Sequence, residues 1–280
     1  MENIKDYSFR WRWNMVNDFR PQSIESSGIK SYPTANYVNY YGMQNGYPIN
    51  DMTKADAESG YDPTHPWKNR DPRFYKTIMF DGVKWRNTGG AGGTAELFTG
   101  GRESEEANEK KGCFTAYMNS KLCPQLMNTF DGYKENNIMI LSLMRLADVY
   151  LMYAEATAVG YNSPKGKAAT YSLTAEEALN KIRERAGVAP VLEKFLGSTA
   201  DFLSELRRER AVELSFEGFR FTDLRRWMLL TQYPYTLKTK IEFDRADPNN
   251  YNYDAPEENA IKNLREVVLI ERKYTDRHYW

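Results

Sequence analysis

The chain has 280 residues and carries 38 lysines and arginines against 38 aspartates and glutamates, so its formal net charge at pH 7 is zero. Binding of bulk nucleic acid needs a strongly basic face, so this balance predicts no nucleic-acid partner. The length allows one large domain or two ordinary ones with a sizeable core. Aromatic residues are abundant, with 20 Tyr, 13 Phe and 6 Trp, and such rings suit binding surfaces as well as cores.

Residues that commonly hold metals are scarce. His65 and His278 are the two histidines, and Cys113 and Cys123 are the two cysteines. The cysteine spacing fits neither a CxxC pair nor a zinc pattern, so one disulfide and two unpaired thiols stay about equally open. Acidic residues within 56–62 lack the spacing of an EF-hand, and a weak calcium site there is a minor alternative. We predict no metal and no cofactor.

The sequence predicts no membrane-spanning segment. The N-terminal stretch MENIKDYSFRWRWN lacks the apolar core of a signal peptide. The longest apolar run, Ile138–Val159, contains Arg145, Asp148 and Glu155. A segment with that many charges does not face lipid.

Residues 1–137 form a loop-rich region with short strands, because Gly, Pro, Asn and Asp recur without a helical period. The apolar stretches Phe74–Phe80 and Val83–Arg86 flank the dipeptide Asp81-Gly82. That dipeptide is typical of a tight hairpin turn, so the sequence predicts a small β-hairpin here.

Residues 138–232 show the helical period and predict α-hairpins like those of tetratricopeptide repeats, although the strict repeat signature is absent. Thr174 and Glu177 have the spacing of a capping box, and Ala147, Ala154 and Ala158 give the first helix a flat face for close packing. The predicted helices are Ile138–Val159, one from Thr174 to Ala186, one from Ala200 to Glu217 capped by Ser198 or Thr199, and one from Thr222 to Leu230. Residues 233–280 are predicted as a loop-rich tail, with a short strand at Val267–Ile270, packed as one domain with the rest. The fold class is mainly α.

The stretch Arg207–Trp227, RRERAVELSFEGFRFTDLRRW, combines core aliphatics, aromatics and charges on one helical stripe. Charges that face a core must be paired, because an unpaired buried ion costs several kcal/mol. We therefore predict a structural lock, in which Glu213 and Glu217 pair with nearby arginines and Trp227 packs beneath them. The residues of the predicted lock are Arg210, Glu213, Glu217, Arg220, Arg225 and Trp227.

Aromatic side chains in the loop-rich region are the candidate ligand surface. A ring can cover the apolar face of a sugar while amides and guanidinium groups bind its hydroxyls. For each tryptophan, packing among the loops is at least as probable as ligand contact. The candidate ligand-binding residues are Trp11, Trp13, Trp67, Trp85, Tyr41, Tyr47, Asn45 and Arg86.

No catalytic group is predicted. The carboxylates Asp148, Glu155, Glu213 and Glu217 lie on predicted helices beside arginines. Such pairs depress the pKa of a carboxyl group, whereas a general acid needs a raised one. Two histidines with no suitable partners give no support to a Ser-His-Asp arrangement.

Several ordered segments resemble the C-terminal half of the SusD/RagB family of outer-membrane nutrient-binding lipoproteins. Any one segment is weak, but the ordered set covers most of the chain from about Tyr32 onward. The matching segments are YPTANYVNYYGMQNGYPI at Tyr32–Ile49, SGYDPTHPWKNRDPRFYKTIMFDGVKW at Ser59–Trp85, YMNSK at Tyr117–Lys121, MRLADVYLMYAEATA at Met144–Ala158, ALNKIRERAGV at Ala178–Val188 and ERAVELSFEGFRFTDLRRW at Glu209–Trp227.

The resemblance implies nutrient uptake by binding rather than catalysis. It implies capture of oligosaccharides at the outward-facing surface of the outer membrane in the Bacteroidota, followed by hand-over to a TonB-dependent, SusC-like transporter. The family's N-terminal half and lipoprotein signal are not found here, so we expect membrane attachment only through an anchor absent from this chain. The alternatives are oligopeptide capture by the same architecture and a helical protein-interaction scaffold without a small ligand.

Overall fold

The computed structural model of the chain describes residues 32–87, 93–123, 130–131, 142–273 and 275. Within these residues the fold is mostly helical, with two small antiparallel sheets. The helices are α1 (Ala35–Val38), α2 (Pro72–Thr77), α3 (Leu146–Gly160), α4 (Ala175–Ala186), α5 (Thr199–Glu213) and α6 (Phe219–Arg226). The strands are β1 (Ile78–Met79), β2 (Met118–Asn119), β3 (Leu237–Arg245) and β4 (Ile261–Glu271).

The hairpin predicted over residues 74–86 is wrong. Asp71 caps α2 by accepting a hydrogen bond from the Arg73 amide, and Pro72 supplies the first helical residue, so 72–77 is a helix. The two-residue strand β1 that follows pairs with the distant β2, not with residues 83–86. Gly82 does turn the chain, with a φ of +82°, but its amide donates to the carbonyl of Ala95.

The C-terminal tail is an antiparallel pair of long strands rather than loops. β3 and β4 pair from Leu237 opposite Glu271 to Arg245 opposite Ile261, with two register shifts. Alternate residues of β3 from Thr239 to Arg245 are buried, as expected of a strand with one face on the core. The predicted strand at Val267–Ile270 is confirmed as part of β4.

The helix caps were predicted correctly, while the first helix is shorter than predicted. Thr174 and Glu177 make both hydrogen bonds of the capping box, and Gly187 ends α4 in the left-handed conformation. Ser198 caps α5. α3 begins at Leu146, because residues 142–145 are not helical; residues 138–141 lie outside the described residues. The division of the chain into 1–137, 138–232 and 233–280 stays a prediction.

The described residues form two main cores. Trp67, Phe74, Phe80 and Phe243 stack in the core beneath the loop-rich region. The second core lies between α3, α4 and α5, where the alanine face of α3 packs closely. The outward face of α3 is also apolar and exposed, at Leu146, Val149, Met152 and Val159.

A column of buried carboxylates joins the two cores. Glu205, Glu209 and Glu213 follow one another at four-residue intervals on α5, so they share one face of the helix, and each is at most 4% exposed. Their ion-pair partners come from five separate positions in the chain. Glu205 pairs with Arg183 and Arg208. Glu209 pairs with Arg73 at 2.5 Å and with Arg183 at 3.0 Å. Glu213 pairs with Arg73 at 3.0 Å, with Arg145 at 2.7 Å and with Arg185 at 2.5 Å.

The predicted lock has the right carboxylates and the wrong partners. Glu213 and Glu217 are paired, but Glu217 binds Lys121 at 2.6 Å and Arg145 at 2.8 Å, not Arg210, Arg220 or Arg225. Arg210 instead binds Asp148 of α3 at 2.5 Å and Asp223 of α6 at 2.7 Å.

Trp227 is only partly buried and donates its ring N–H to Glu155 at 2.7 Å. Residues that are close in sequence around a helix corner point in different directions, which explains why the neighbouring arginines are not the partners.

The ion pairs set the charge state of the column. Burial alone would raise the pKa of Glu209, but the guanidinium groups of Arg73 and Arg183 outweigh it and hold that pKa at about 2. In Glu205, too, burial is outweighed, by Arg208 and Arg183, and the pKa is lowered. Both carboxylates are therefore ionised at neutral pH.

Replacing Glu209 should destabilise the protein strongly. Glu209→Gln leaves Arg73 and Arg183 with too little compensating charge in a buried site, so we expect the free energy of unfolding to fall by about 3 kcal/mol. Urea denaturation followed by circular dichroism measures it. Glu184→Gln is the matched control, because that side chain is 73% exposed, and it should change stability by under about 0.5 kcal/mol. Equal effects of the two substitutions would contradict the structural role.

The column should also make stability depend on acid pH. Because the folded pKa of Glu209 is about 2 and its unfolded pKa is near 4.3, its contribution is complete above that value and is lost as the pH falls to about 2. We expect the wild type to lose about 3 kcal/mol more than Glu209→Gln between pH 5 and pH 2, at about 1.36 kcal/mol per pKa unit. If the free energy of unfolding fell by the same amount in the two proteins over this pH range, Glu209 would not be the source of the acid dependence.

Candidate functional site

An open cleft of about 600 Å³ lies where α5, the start of α6 and the β3–β4 pair meet the 36–50 loop. Its size is in the range of small-ligand sites. Asn36 fixes one wall, because its amide side chain donates to the carbonyl of Leu237 and its backbone N–H donates to Thr239, both at 2.9 Å. The cleft is lined by Asn36, Asn39, Tyr40, Pro48, Ile49, Asn50, Phe195, Ser204, Glu205, Arg207, Arg208, Arg220, Tyr233, Pro234, Tyr235, Leu237, Thr239, Glu266 and Val268.

Tyrosine rings supply the apolar surface of the cleft. Tyr233 is 77% exposed, while Tyr40 and Tyr235 are half-buried. The Arg220 guanidinium lies over the Tyr40 ring at 4.8 Å and over the Tyr235 ring at 5.6 Å. Burial raises the pKa of Tyr40, with Arg220 opposing the shift, so the phenol stays neutral and can donate a hydrogen bond.

Three buried polar atoms in the lining have no hydrogen-bond partner. They are Asn39 Oδ1, Arg207 Nε and Arg220 Nη1. A buried polar atom without a partner costs about 1–3 kcal/mol, so such atoms are uncommon unless a ligand or water satisfies them. Three residues of the cleft lining carry such an atom beside tyrosine rings, which makes the cleft the candidate binding site.

The neighbouring Arg208 lines the same cleft, but all three of its side-chain nitrogens donate hydrogen bonds within the fold. Its Nε donates to Glu205 at 2.8 Å, and its two terminal nitrogens donate to the carbonyls of Tyr40 and Gly46 at 3.1 and 2.9 Å. Arg208 and Glu205 therefore build the wall of the cleft. Because burial of Glu205 is outweighed by two arginines and its pKa is lowered, it is not suited to act as a general acid.

A second cavity of about 600 Å³ lies beside the carboxylate column. Its charged lining residues include Arg73, Arg145, Arg185, Glu213 and Glu217, and these form ion pairs with one another. Since its charges are already satisfied within the fold, the cleft is the stronger candidate. Among the described residues, no cluster of three or more His, Cys, Asp or Glu is arranged to hold a metal.

Cys113 is a buried thiol whose Sγ donates to the Tyr117 carbonyl at 3.1 Å, so the disulfide alternative is not formed. No helix in the described ranges combines the length and apolarity that a bilayer crossing requires.

Three of the predicted ligand residues belong to the core instead. Trp67 and Tyr41 are each 0% exposed and Trp85 is 6% exposed. The Trp67 ring packs on Phe80 and Phe243, and the Tyr41 hydroxyl donates to Ser215 at 2.7 Å. Because they are buried, these rings do not face a ligand, contrary to the prediction. The loop-rich region has little sheet, and these aromatic side chains form its core instead.

The other predicted ligand residues lie at the surface or outside the described residues. Arg86 lies over the Phe130 ring at 4.1 Å, away from the cleft lining. Asn45 is exposed and donates to the Ser59 carbonyl. Lys194 Nζ lies over the Tyr47 ring, 4.3 Å from its centroid. Neither Asn45 nor Tyr47 is among the residues that line the cleft. Trp11 and Trp13 fall outside the described residues.

Sequence reasoning missed Asn39, Tyr40, Arg207, Tyr233 and Tyr235, and it assigned Arg220 to the lock. Only the YVNYYG run around Asn39 gave a usable signal, as a polar and tyrosine-rich loop. Arg225 was likewise assigned to the lock, and it lies 5.8 Å from the Phe221 ring.

The model of the SusD family matches residues 1–278. Two solved structures are similar in fold, both from Bacteroides fragilis NCTC 9343. A SusD-like protein has a TM-score of 0.61 and 22% identity, with 89% of this chain and 43% of that chain covered. A SusD-like carbohydrate binding protein has a TM-score of 0.57 and 20% identity, with 88% and 44% covered.

This chain thus spans less than half the length of the structures it matches. No curated protein matches it. The family match covers nearly all of the chain and agrees with the helical fold, the ordered motifs and the small antiparallel sheets, so this protein belongs to the SusD family.

Proposed function

We propose that this protein binds oligosaccharides in the cleft between the 36–50 loop, α5 and the β3–β4 pair. The observation that carries the proposal is the presence of Asn39 Oδ1, Arg207 Nε and Arg220 Nη1 as buried polar atoms without partners in that cleft. A sugar offers apolar C–H faces for Tyr233 and Tyr235 and hydroxyl groups for these atoms. Family membership and a neighbour described as carbohydrate binding support the same ligand class.

Hand-over is the second part of the proposal. As a SusD-family member, the protein acts at the outward-facing surface of the outer membrane and passes its ligand to a TonB-dependent, SusC-like transporter. The chemistry of the cleft agrees with capture rather than turnover, because its buried carboxylate, Glu205, is held ionised by Arg183 and Arg208. Release must be fast enough for transport, so a moderate affinity fits this role.

Oligopeptide capture by the same cleft is the alternative. A peptide also offers donors and acceptors for the three buried atoms, and its aromatic or proline side chains can pack on the tyrosine rings. The family's carbohydrate-binding neighbour is therefore what favours the oligosaccharide. A protein-interaction scaffold without a small ligand would leave these buried atoms unexplained.

Removal of one exposed ring should weaken oligosaccharide binding. We expect Tyr233→Ala to lower the affinity for the best-binding oligosaccharide of a mixed glycan and peptide panel about tenfold, the loss typical of an interface aromatic worth about 1.4 kcal/mol. Isothermal titration calorimetry measures it.

Tyr161→Ala is the matched control, because Tyr161 is also exposed, at 58%, but lies at the end of α3. Binding of peptides and of no oligosaccharide would favour the alternative. Unchanged affinity in both Tyr233→Ala and Asn39→Ala would remove the cleft as the site.

The transporter partnership predicts a physical complex. A tagged copy of the protein, extracted with mild detergent from the outer membrane of its native cells, should co-purify with a TonB-dependent transporter, as identified by mass spectrometry. A tagged, unrelated surface lipoprotein is the control. Recovery of the protein alone, while other outer-membrane complexes stay intact, would contradict the hand-over step.

A further inference from the structure

Two arginines of the cleft hold charge that the fold does not neutralise. Arg207 and Arg220 make no ion pair with any carboxylate of the described residues, although each has a buried nitrogen without a partner. Their contacts are with aromatic side chains: Arg207 lies 5.4 Å from the Trp227 ring, and Arg220 lies over the Tyr40 ring and hydrogen-bonds to the Tyr40 side chain. These contacts hold each guanidinium in place and leave it with N–H donors that no carboxylate uses. The two groups are thus oriented and still able to bind an anion.

The acids of the cleft lining offset this positive potential only in part. Glu205, one of the two acids in the lining, is bound by Arg183 and Arg208. The other, Glu266, is exposed on β4 and accepts a hydrogen bond from Thr239 at 2.6 Å. On β3, Lys238 has a lowered pKa because of burial first and then because of the nearby cations Arg272 and Arg220. The positive charges of Arg272 and Arg220 near Lys238 favour an anion at this side of the cleft.

Asn39 Oδ1, the third buried atom without a partner, indicates which other group the ligand must carry. Asn39 Oδ1 is an acceptor, so its partner must be a donor such as a hydroxyl group, whereas Arg207 and Arg220 need an acceptor. The planar, two-oxygen carboxylate matches the guanidinium geometry best. Tyr233 and Tyr235 add flat apolar surface beside these groups. A ligand that carries a carboxylate, hydroxyls and apolar ring faces together is a uronic-acid residue of an oligosaccharide.

We propose that the cleft selects acidic oligosaccharides, with Arg207 and Arg220 binding the carboxylate of a uronic-acid residue and Asn39 binding a neighbouring hydroxyl. This inference rests on the proposed function, since it names the class of oligosaccharide that the same cleft takes. It makes the two arginines specificity-determining residues and leaves Arg208 as a structural one.

Matched charged and neutral sugars test this selection in the full chain. The probes are trigalacturonate and triglucuronate and the fully methyl-esterified form of each, which keeps the rings and removes the charge. By calorimetry at low ionic strength we expect at least one acid to bind about tenfold or more tightly than its ester, because a charge-assisted contact is roughly twice as strong as a neutral one. The preference should shrink at high ionic strength.

Substitution of either arginine should remove the preference. In Arg207→Gln and Arg220→Gln the ratio of acid to ester affinity should fall to about two or lower, because affinity for the acid falls more than affinity for the ester. Arg220→Lys should restore part of the preference. Arg265→Gln is the matched control, because that side chain is 71% exposed on β4 and pairs with Glu242, and it should keep the full ratio. Thermal unfolding midpoints confirm that each variant is folded.

The outcomes separate this inference from the proposed function. If esters or other neutral oligosaccharides bind as well as the acids, or if both glutamine variants keep the preference, the acidic selection is wrong and glycan capture stands. Triglutamate binding more tightly than either uronate would make the ligand an acidic peptide and overturn the inference. No binding of any sugar, charged or neutral, would overturn both proposals.

Discussion

The structure depends on the pairing of three buried carboxylates on α5 with arginines from the rest of the chain. Glu205, Glu209 and Glu213 form a column at the boundary between the two cores. Each is buried at a cost that only close cations can offset. Those cations come from the loop-rich region and from the helices, and one pair, Arg73 with Glu209, spans 136 residues. A loop-rich segment with little sheet of its own is thereby attached to a helical scaffold.

The cleft is a consequence of the same column. Glu205 holds Arg208, and Arg208 in turn holds the carbonyls of Tyr40 and Gly46. The 36–50 loop therefore keeps its position because a buried carboxylate on α5 fixes the arginine that binds it. Arg207, one residue earlier, points to another side of the helix and contacts the Trp227 ring instead. One helix thus supplies, in succession, the arginine that we propose binds a ligand and an arginine that holds the wall of the cleft.

The parts that sequence reasoning predicted well are those governed by local interactions. The capping box at Thr174, the left-handed glycine at Gly187 and the Ser198 cap were predictable because every partner lies within a few residues. The β-hairpin at 74–86 failed for a related reason: the local turn signal of Asp81-Gly82 was correct, but the partner of β1 is the distant β2. The long strand β3 was hidden by its lysines and acids, although its buried positions alternate.

The sequence by itself determined the helical class, the helix caps at Thr174, Gly187 and Ser198, the family resemblance and the need for charge pairing around Arg207–Trp227. Those properties follow from periodicity, capping and the cost of burying an ion, which act within one segment. Only the tertiary structure decided which arginines are neutralised and which are not. Arg210 and Arg220 flank the same glycine corner, yet one is bound by Asp148 and Asp223 and the other lies in the cleft over Tyr40. One arginine is ion-paired and the other is not because folding brings different groups close to each. The spacing of residues along the chain does not predict which groups these are.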